Sequence, residues 1–167
     1  MNADALKAVQ APLKDQYRQD PESAVITLRA EGHAAGLTCK VETGKALVEA
    51  GLHPATGGDG TAACSGDMLL EALVACAGVT LNAVATALQL TVRDARIRAE
   101  GDLDFRGTLG VAKDAPVGFR AIRLAFDLDT DEPQERIDSL IKLTERYCVV
   151  FQTINQKPEL SVIARRA

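Results

Sequence analysis

The 167-residue sequence is poor in aromatic and imidazole side chains. It has no tryptophan, two tyrosines, four phenylalanines and only two histidines. So few aromatic rings exclude the stacking platforms on which single-stranded nucleic acids bind. The net charge of −4, with scattered basic residues, excludes a surface that follows a phosphate backbone. No cluster of metal-ligand residues is visible, so we expect no nucleic-acid partner, no metal and no organic cofactor.

The N-terminus lacks the apolar core that a secretory signal requires. The longest apolar stretch, residues 68–90, has the length of a membrane span. It contains Glu71, Asn82 and Gln89, however, and has no basic flanking residues. A buried helix is therefore the better interpretation. We expect a cytoplasmic protein without a membrane partner, whose four cysteines are reduced at rest.

The periodicity of apolar residues predicts an N-terminal helical extension followed by one α+β domain. Residues 1–23 form the extension, which Pro12 interrupts or kinks and Pro21 ends. We expect it to pack on a dimer surface through Leu6, Val9 and Leu13. In the domain, residues 24–167, strands are predicted at 24–30, 36–43, 45–50, 92–109, 118–129 and 159–164. Helices are predicted at 66–88, 133–147 and 149–155, with a glycine-rich loop at 53–63 and Ser65 as an N-cap.

Two cysteines 72 residues apart offer the most reactive chemistry in the chain. Cys76 lies inside the long apolar helix, and Cys148 lies where the helix ending TERYC meets the segment VVFQTIN. The end of a helix is negative, so Cys148 is poorly placed to ionise. Two thiols that meet in space can cycle between a dithiol and a disulfide. The alternative is that both cysteines are small buried apolar residues.

The order of these elements resembles the OsmC/Ohr family, the osmotically inducible protein C and organic hydroperoxide resistance proteins. The residues that carry the resemblance are GDMLLEALVACAGVTL around Cys76 and LTERYCVV around Cys148, and it covers residues 24–164. The resemblance implies curved antiparallel sheets wrapped around long central helices in an intertwined homodimer. Each active site would then lie at the interface between the subunits.

The resemblance also implies a cysteine-based thiol peroxidase that serves in oxidative stress defence. Cys76 would attack the O–O bond of an organic hydroperoxide and become a sulfenic acid, and Cys148 would condense with it to a disulfide. A small dithiol, such as a lipoyl group, would restore both thiols. Thr80 is one helical turn beyond Cys76, on the same face, and is expected to hydrogen-bond its sulfur.

The residues around Cys76 depart from the peroxidase pattern of that family. Gly66 stands where those enzymes have a glutamate, and the region of their activating arginine offers Arg29 and His33. Cys64 precedes the long helix, where the helix dipole favours a thiolate. We expect it to border the same pocket and to pair with Cys76 or Cys148 on oxidation. The alternative function is an OsmC-like dimer without peroxidase activity that binds a small hydrophobic ligand.

Overall fold

The computed structural model describes residues 3–35, 38–41 and 50–166, and within these ranges the side chains of residues 3–7, 28–35 and 38–41 lie outside the description. The helices are α1 (Ala3–Gln19), α2 (Ser65–Ala87), α3 (Phe105–Thr108), α4 (Gln134–Tyr147) and α5 (Val149–Asn155). The strands are β1 (Val25–Ala35), β2 (Thr38–Val41), β3 (Ala50–Gly51), β4 (Ala63–Cys64), β5 (Asp94–Asp104) and β6 (Phe119–Asp129). The predicted α+β class is confirmed.

Four strands form an antiparallel sheet in the order β2-β1-β5-β6. Its central strand, β5, alternates between the two faces: Ala95, Ile97 and Ala99 are buried, and charged residues lie between them. This period of two places an apolar face against the helices and a charged face outwards. A register shift between Asp102 and Leu103 interrupts the pairing with β6. There the ring of Phe119 packs so closely on Gly101 that a side chain at this position would require the ring to move.

Helix α2 packs on the apolar face of the sheet and forms the centre of the core. Its fully buried residues are Leu70, Leu73, Val74, Ala77 and Leu81. The helix is long and apolar enough to cross a membrane by length and composition alone. One face of it is buried against β1 and β5, so the core of the domain accounts for the apolar character of that face.

Helix α1 is continuous through Pro12, so the predicted interruption was wrong, and the alternative of a kink stays a prediction. Pro12 is exposed. Residues before and after it in α1 contact other parts of the chain. The Tyr17 hydroxyl donates to the carbonyl of Ala55 at 2.7 Å, and the Gln10 amide donates to the carbonyl of Thr56 at 3.0 Å. The helix therefore docks on the 3-10 turn Pro54–Thr56.

Helices α4 and α5 confirm the predicted positions, but several other boundaries were wrong. Cys64, not Ser65, is the N-cap residue of α2, and Ser65 is the first helical residue. Strand β5 stops at Asp104 because its carboxylate accepts the Arg106 N–H and begins α3. The strand predicted at 159–164 is not paired with any described strand.

The predicted three-strand meander is also different in the structure. The first strand extends to Ala35, well beyond the predicted residue 30. Most of the strand predicted at 45–50 lies outside the described residues. Its last residue, Ala50, belongs to β3, which pairs in parallel with β4 rather than with β2. The predicted glycine-rich loop at 53–63 contains the 3-10 turn that receives α1.

Candidate functional site

Cys76 lies at the border between the buried and the exposed face of α2. Leu69, Leu73, Cys76 and Thr80 follow one another at steps of four, three and four residues, so they form one row along the helix. Leu73 is fully buried and Leu69 is exposed, whereas Cys76 is half-buried. The helix thus presents a sulfur that is packed against the core and still accessible from outside.

Cys148 is both the C-cap residue of α4 and the N-cap residue of α5. Its N–H closes the last turn of α4 by donating to the carbonyl of Thr144 at 2.9 Å. Its sulfur begins α5 by accepting the N–H of Phe151 at 3.5 Å. The side chain is only 1% exposed. The junction between the two helices therefore fixes the position of this thiol within the core.

The fold brings these two cysteines together. Helix α2 packs against both α4 and α5, and the thiols of Cys76 and Cys148 are close enough for each to shift the pKa of the other. Both cysteines are free thiols. Residues 72 positions apart in sequence are thus neighbours in space.

Opposing effects act on the pKa of Cys76, and hydrogen bonding prevails. Burial, the largest single effect, raises the pKa of its thiol. The N–H of Val150, the thiol of Cys148, the hydroxyl of Thr80 and the N–H of Val149 all hydrogen-bond the sulfur and together bring the pKa below its ordinary value. Thr80, the neighbour named from the sequence, is one of the groups that lower this pKa. The surrounding dipoles favour the thiolate of Cys76.

Cys148 is shifted in the opposite direction. The pKa of its thiol is raised to about 11, chiefly by burial and also by the neighbouring Cys76, although the N–H of Phe151 acts against both. Near neutral pH Cys148 therefore keeps its proton, which it can donate to the sulfur of Cys76. Two titratable groups whose pKa values are driven apart are suited to different roles in one reaction.

The backbone groups of Val149, Val150 and Phe151 were not predicted as part of the site. Cys148 was expected only at the negative end of one helix, but the positive end of α5 begins at the same residue. The N–H groups of Val149 and Val150 act on Cys76, and that of Phe151 acts on Cys148. The signal was available, because a helix predicted at 149–155 must begin with N–H groups that have no partner within the helix.

Arg29 and His33, the suggested activating residues, both lie on β1. In the register of the sheet, Arg29 is opposite Glu100 and His33 is opposite Arg96. The side chains of Arg29 and His33 lie outside the described part of the structure. Their proposed action on Cys76 therefore stays a prediction.

Cys64 does not belong to the cysteine pair. It caps the start of α2, twelve residues before Cys76, which corresponds to about 18 Å along the helix. A disulfide requires Cα atoms within roughly 7 Å. The predicted pairing with Cys76, or with Cys148 beside it, was therefore wrong within one chain. Cys64 instead lines a cavity of about 400 Å³ together with His53 and Gly66, and this cavity adjoins the larger cleft through Leu69, Gly118 and Phe119.

A larger cleft lies beside the cysteine pair, between α2, α5 and β6. Its volume is about 620 Å³, which is within the range of small-molecule sites. The lining is mostly apolar, with Arg120 and Asn155 as its long polar side chains: Leu69, Leu73, Gly118, Phe119, Arg120, Ala121, Ile122, Leu124, Phe151, Ile154 and Asn155. Leu73 precedes Cys76 by one helical turn, and Phe151 donates its N–H to Cys148.

The fold and this site define an α+β protein with a dithiol between a central helix and a helix junction. The sequence profile described as OsmC-like protein matches residues 58–163, which is more than half of the chain. The chain therefore belongs to the OsmC-like family. The profile includes both Cys76 and Cys148 and begins after α1.

Among solved structures, the fold is similar to that of an OsmC-like hydroperoxide resistance protein from Jannaschia sp. CCS1. The TM-score is 0.58 at 23% sequence identity, and the similarity covers 82% of this chain and 91% of the other. No functionally curated protein sequence matches the chain significantly.

Proposed function

We propose that this protein is a cysteine-based thiol peroxidase that reduces organic hydroperoxides. The observation that carries the proposal is the contact between a Cys76 thiol of lowered pKa and a Cys148 thiol of raised pKa. Thiol peroxidation requires one thiolate and one nearby thiol that resolves the oxidised product. Membership of the OsmC-like family and the hydroperoxide resistance named for the similar structure support the same reaction.

In the proposed reaction, the Cys76 thiolate attacks one oxygen of the hydroperoxide and the O–O bond breaks. Cys76 becomes a sulfenic acid, and the organic fragment takes up a proton and leaves as an alcohol. The Cys148 sulfur then attacks the sulfenic sulfur, so that a disulfide forms and water is released. An external dithiol, which becomes a disulfide itself, returns both cysteines to thiols by exchange.

The proposed assembly is a homodimer in the cytoplasm, where the cysteines are kept reduced. Apolar surface that one chain leaves exposed supports a second copy. On α2, Met68 and Val79 are 36% and 41% exposed, and Ala72 and Ala83 lie on the same side of the helix. Such a stripe is typical of a helix that packs against a partner. Size-exclusion chromatography with light scattering would give the molar mass, and a monomer would contradict this part of the proposal.

The catalytic proposal is tested by measuring consumption of an organic hydroperoxide in the presence of excess dithiol. Cys76→Ser should abolish turnover, and Cys148→Ser should consume about one equivalent of peroxide and then stop. Cys64→Ser is the matched control, because it removes a thiol outside the pair, and it should retain activity. Full turnover by Cys76→Ser would refute the proposed mechanism.

The alternative function is binding of a small hydrophobic ligand without peroxidase chemistry. The apolar cleft of about 620 Å³ favours it, because a binding site of that kind requires no reactive thiol. The same assay separates the two functions. Absence of turnover in the wild type, together with slow alkylation of Cys76 near neutral pH, would leave ligand binding as the function.

A further inference from the structure

The carbonyl groups in the last turn of α4 need donors from outside that helix. The carbonyl of Thr144 accepts the N–H of Cys148 at 2.9 Å. For the carbonyl of Glu145, the donor in a continuing helix would be the N–H of Val149, four residues later. Cys148, however, has an extended backbone with a ψ of 107°, which turns the chain out of α4. The N–H of Val149 acts instead on the sulfur of Cys76, and the Glu145 carbonyl requires another donor.

The side chain of Gln152 supplies that donor. Its amide donates to the Glu145 carbonyl at 2.8 Å, in a bond that joins residues seven positions apart across the junction of α4 and α5. The backbone N–H of Gln152 also donates to the carbonyl of Cys148 at 2.9 Å. Gln152 is therefore fixed within α5 by its backbone and fastened to α4 by its side chain.

Apolar packing alone holds α5 weakly. The helix has seven residues, and none of them is fully buried. Val150 and Phe151 pack against the core but are only half-buried, and Val149 is 70% exposed. The first N–H groups of a helix point along its axis, so a small rotation of α5 about Cys148 would direct them away from the sulfur of Cys76. A hydrogen bond that fastens α5 to α4 opposes such a rotation.

We propose that Gln152 is a positioning residue of the thiol site, which by bonding the Glu145 carbonyl holds α5 in the orientation that directs the N–H groups of Val149 and Val150 at Cys76. Gln152 acts through the backbone of α5. The inference rests on the proposed peroxidase function only for its effect on turnover. The orientation of the two donors is a property of the thiol site whatever reaction the site serves.

The first test is the pH profile of Cys76 alkylation by iodoacetamide in Gln152→Met, measured by peptide mass spectrometry. Methionine keeps the length of the side chain and removes its N–H groups. Because one exposed hydrogen bond is lost, the thiolate fraction of Cys76 at neutral pH should fall about threefold, and the midpoint of the profile should rise by about half a pH unit. A midpoint equal to that of the wild type would overturn the assignment.

Thr153→Val is the matched control, because the Thr153 hydroxyl bonds the carbonyl of Val149 at 2.7 Å within α5 and does not fasten it to α4. This variant should keep the midpoint of the wild type. Gln152→Lys keeps an N–H donor on an unbranched chain and should restore the midpoint at high salt, where its charge is screened. An equal shift in Thr153→Val and Gln152→Met, or no restoration by Gln152→Lys, would show a general weakening of α5 and overturn the positioning role.

The rate at which cumene hydroperoxide oxidises Cys76 separates this inference from the proposed function. In a single turnover near neutral pH, the rate in Gln152→Met should fall about threefold, together with the thiolate fraction. Oxidation of the wild type and of Gln152→Met at the same rate, with equal alkylation midpoints, would refute the positioning role and leave the peroxidase intact. A wild type that is not oxidised, with a midpoint that Gln152→Met still shifts, would refute the peroxidase and leave the positioning role.

Discussion

The hydroxyl of Thr80 provides the sharpest test of how Cys76 is activated. It is one of four groups whose hydrogen bonds lower the pKa of the Cys76 thiol against the effect of burial. Valine has nearly the same shape as threonine but cannot hydrogen-bond, so Thr80→Val removes one of the four. A hydrogen bond to a charged group contributes about 1.5–3 kcal/mol. Because Cys76 is half-buried and keeps three donors, we expect the lower end of this range.

About 1.4 kcal/mol corresponds to a factor of ten in an equilibrium. Thr80→Val should therefore raise the pKa of Cys76 and lower the fraction of thiolate at neutral pH by roughly tenfold. The rate of alkylation by iodoacetamide follows that fraction and is measured for each cysteine by peptide mass spectrometry between pH 5 and pH 9. Cys148 does not interfere, because its pKa of about 11 keeps it protonated over this range.

Thr86→Val is the matched control for this experiment. Thr86 lies on the same helix, is exposed, and bonds the carbonyl of Asn82 at 2.8 Å rather than a sulfur. It should leave the alkylation profile of Cys76 unchanged. If Thr80→Val and the wild type had the same profile, the hydroxyl would not stabilise the thiolate, and the account of activation by neutral donors would be wrong at this position.

Three further predictions concern stability and the oxidised state. Tyr17→Phe should lower the free energy of unfolding by about 1 kcal/mol in thermal denaturation, because it removes the bond to the carbonyl of Ala55; an unchanged melting temperature would contradict the docking of α1. Asp104 is 2% exposed, and its bonds to Arg106 lower the pKa of its carboxyl. Its contribution to stability should be complete above about pH 4 and lost as the pH falls through the lowered pKa, so urea midpoints of the wild type should fall more steeply in acid than those of Asp104→Asn. Oxidation of the cysteine pair removes the thiolate on which the N–H groups of Val149 and Val150 act, so hydrogen exchange at these two residues should accelerate, and unchanged protection would contradict this.

Local patterns in the sequence predicted the later elements of the fold well. Helix α4 and strand β6 each combine a clear apolar period with a turn or proline at the boundary, and both begin within one residue of the predicted position. Nothing local indicated that Ala50 would pair with Ala63, or that α1 would dock on the carbonyl groups of the 3-10 turn Pro54–Thr56. Those contacts depend on which surfaces the assembled core leaves open.

The candidate site shows the same division between local and non-local information. The resemblance to the family indicated Cys76 and Cys148, and helix periodicity indicated Thr80. Neither of them could show whether the pKa of each thiol is raised or lowered. At Cys148 one helix ends and another begins, and the sign of the local field depends on which end faces a given sulfur.

Because α2 packs against the start of α5, Cys76 faces the positive end of that helix. The N–H groups of Val149 and Val150 act on its sulfur, and Cys148 donates its own proton to the same atom. These are neutral donors, so they stabilise a thiolate without adding a further buried charge that would itself need compensation. A thiolate that already has four hydrogen-bonding groups requires less compensation from any cation that approaches it.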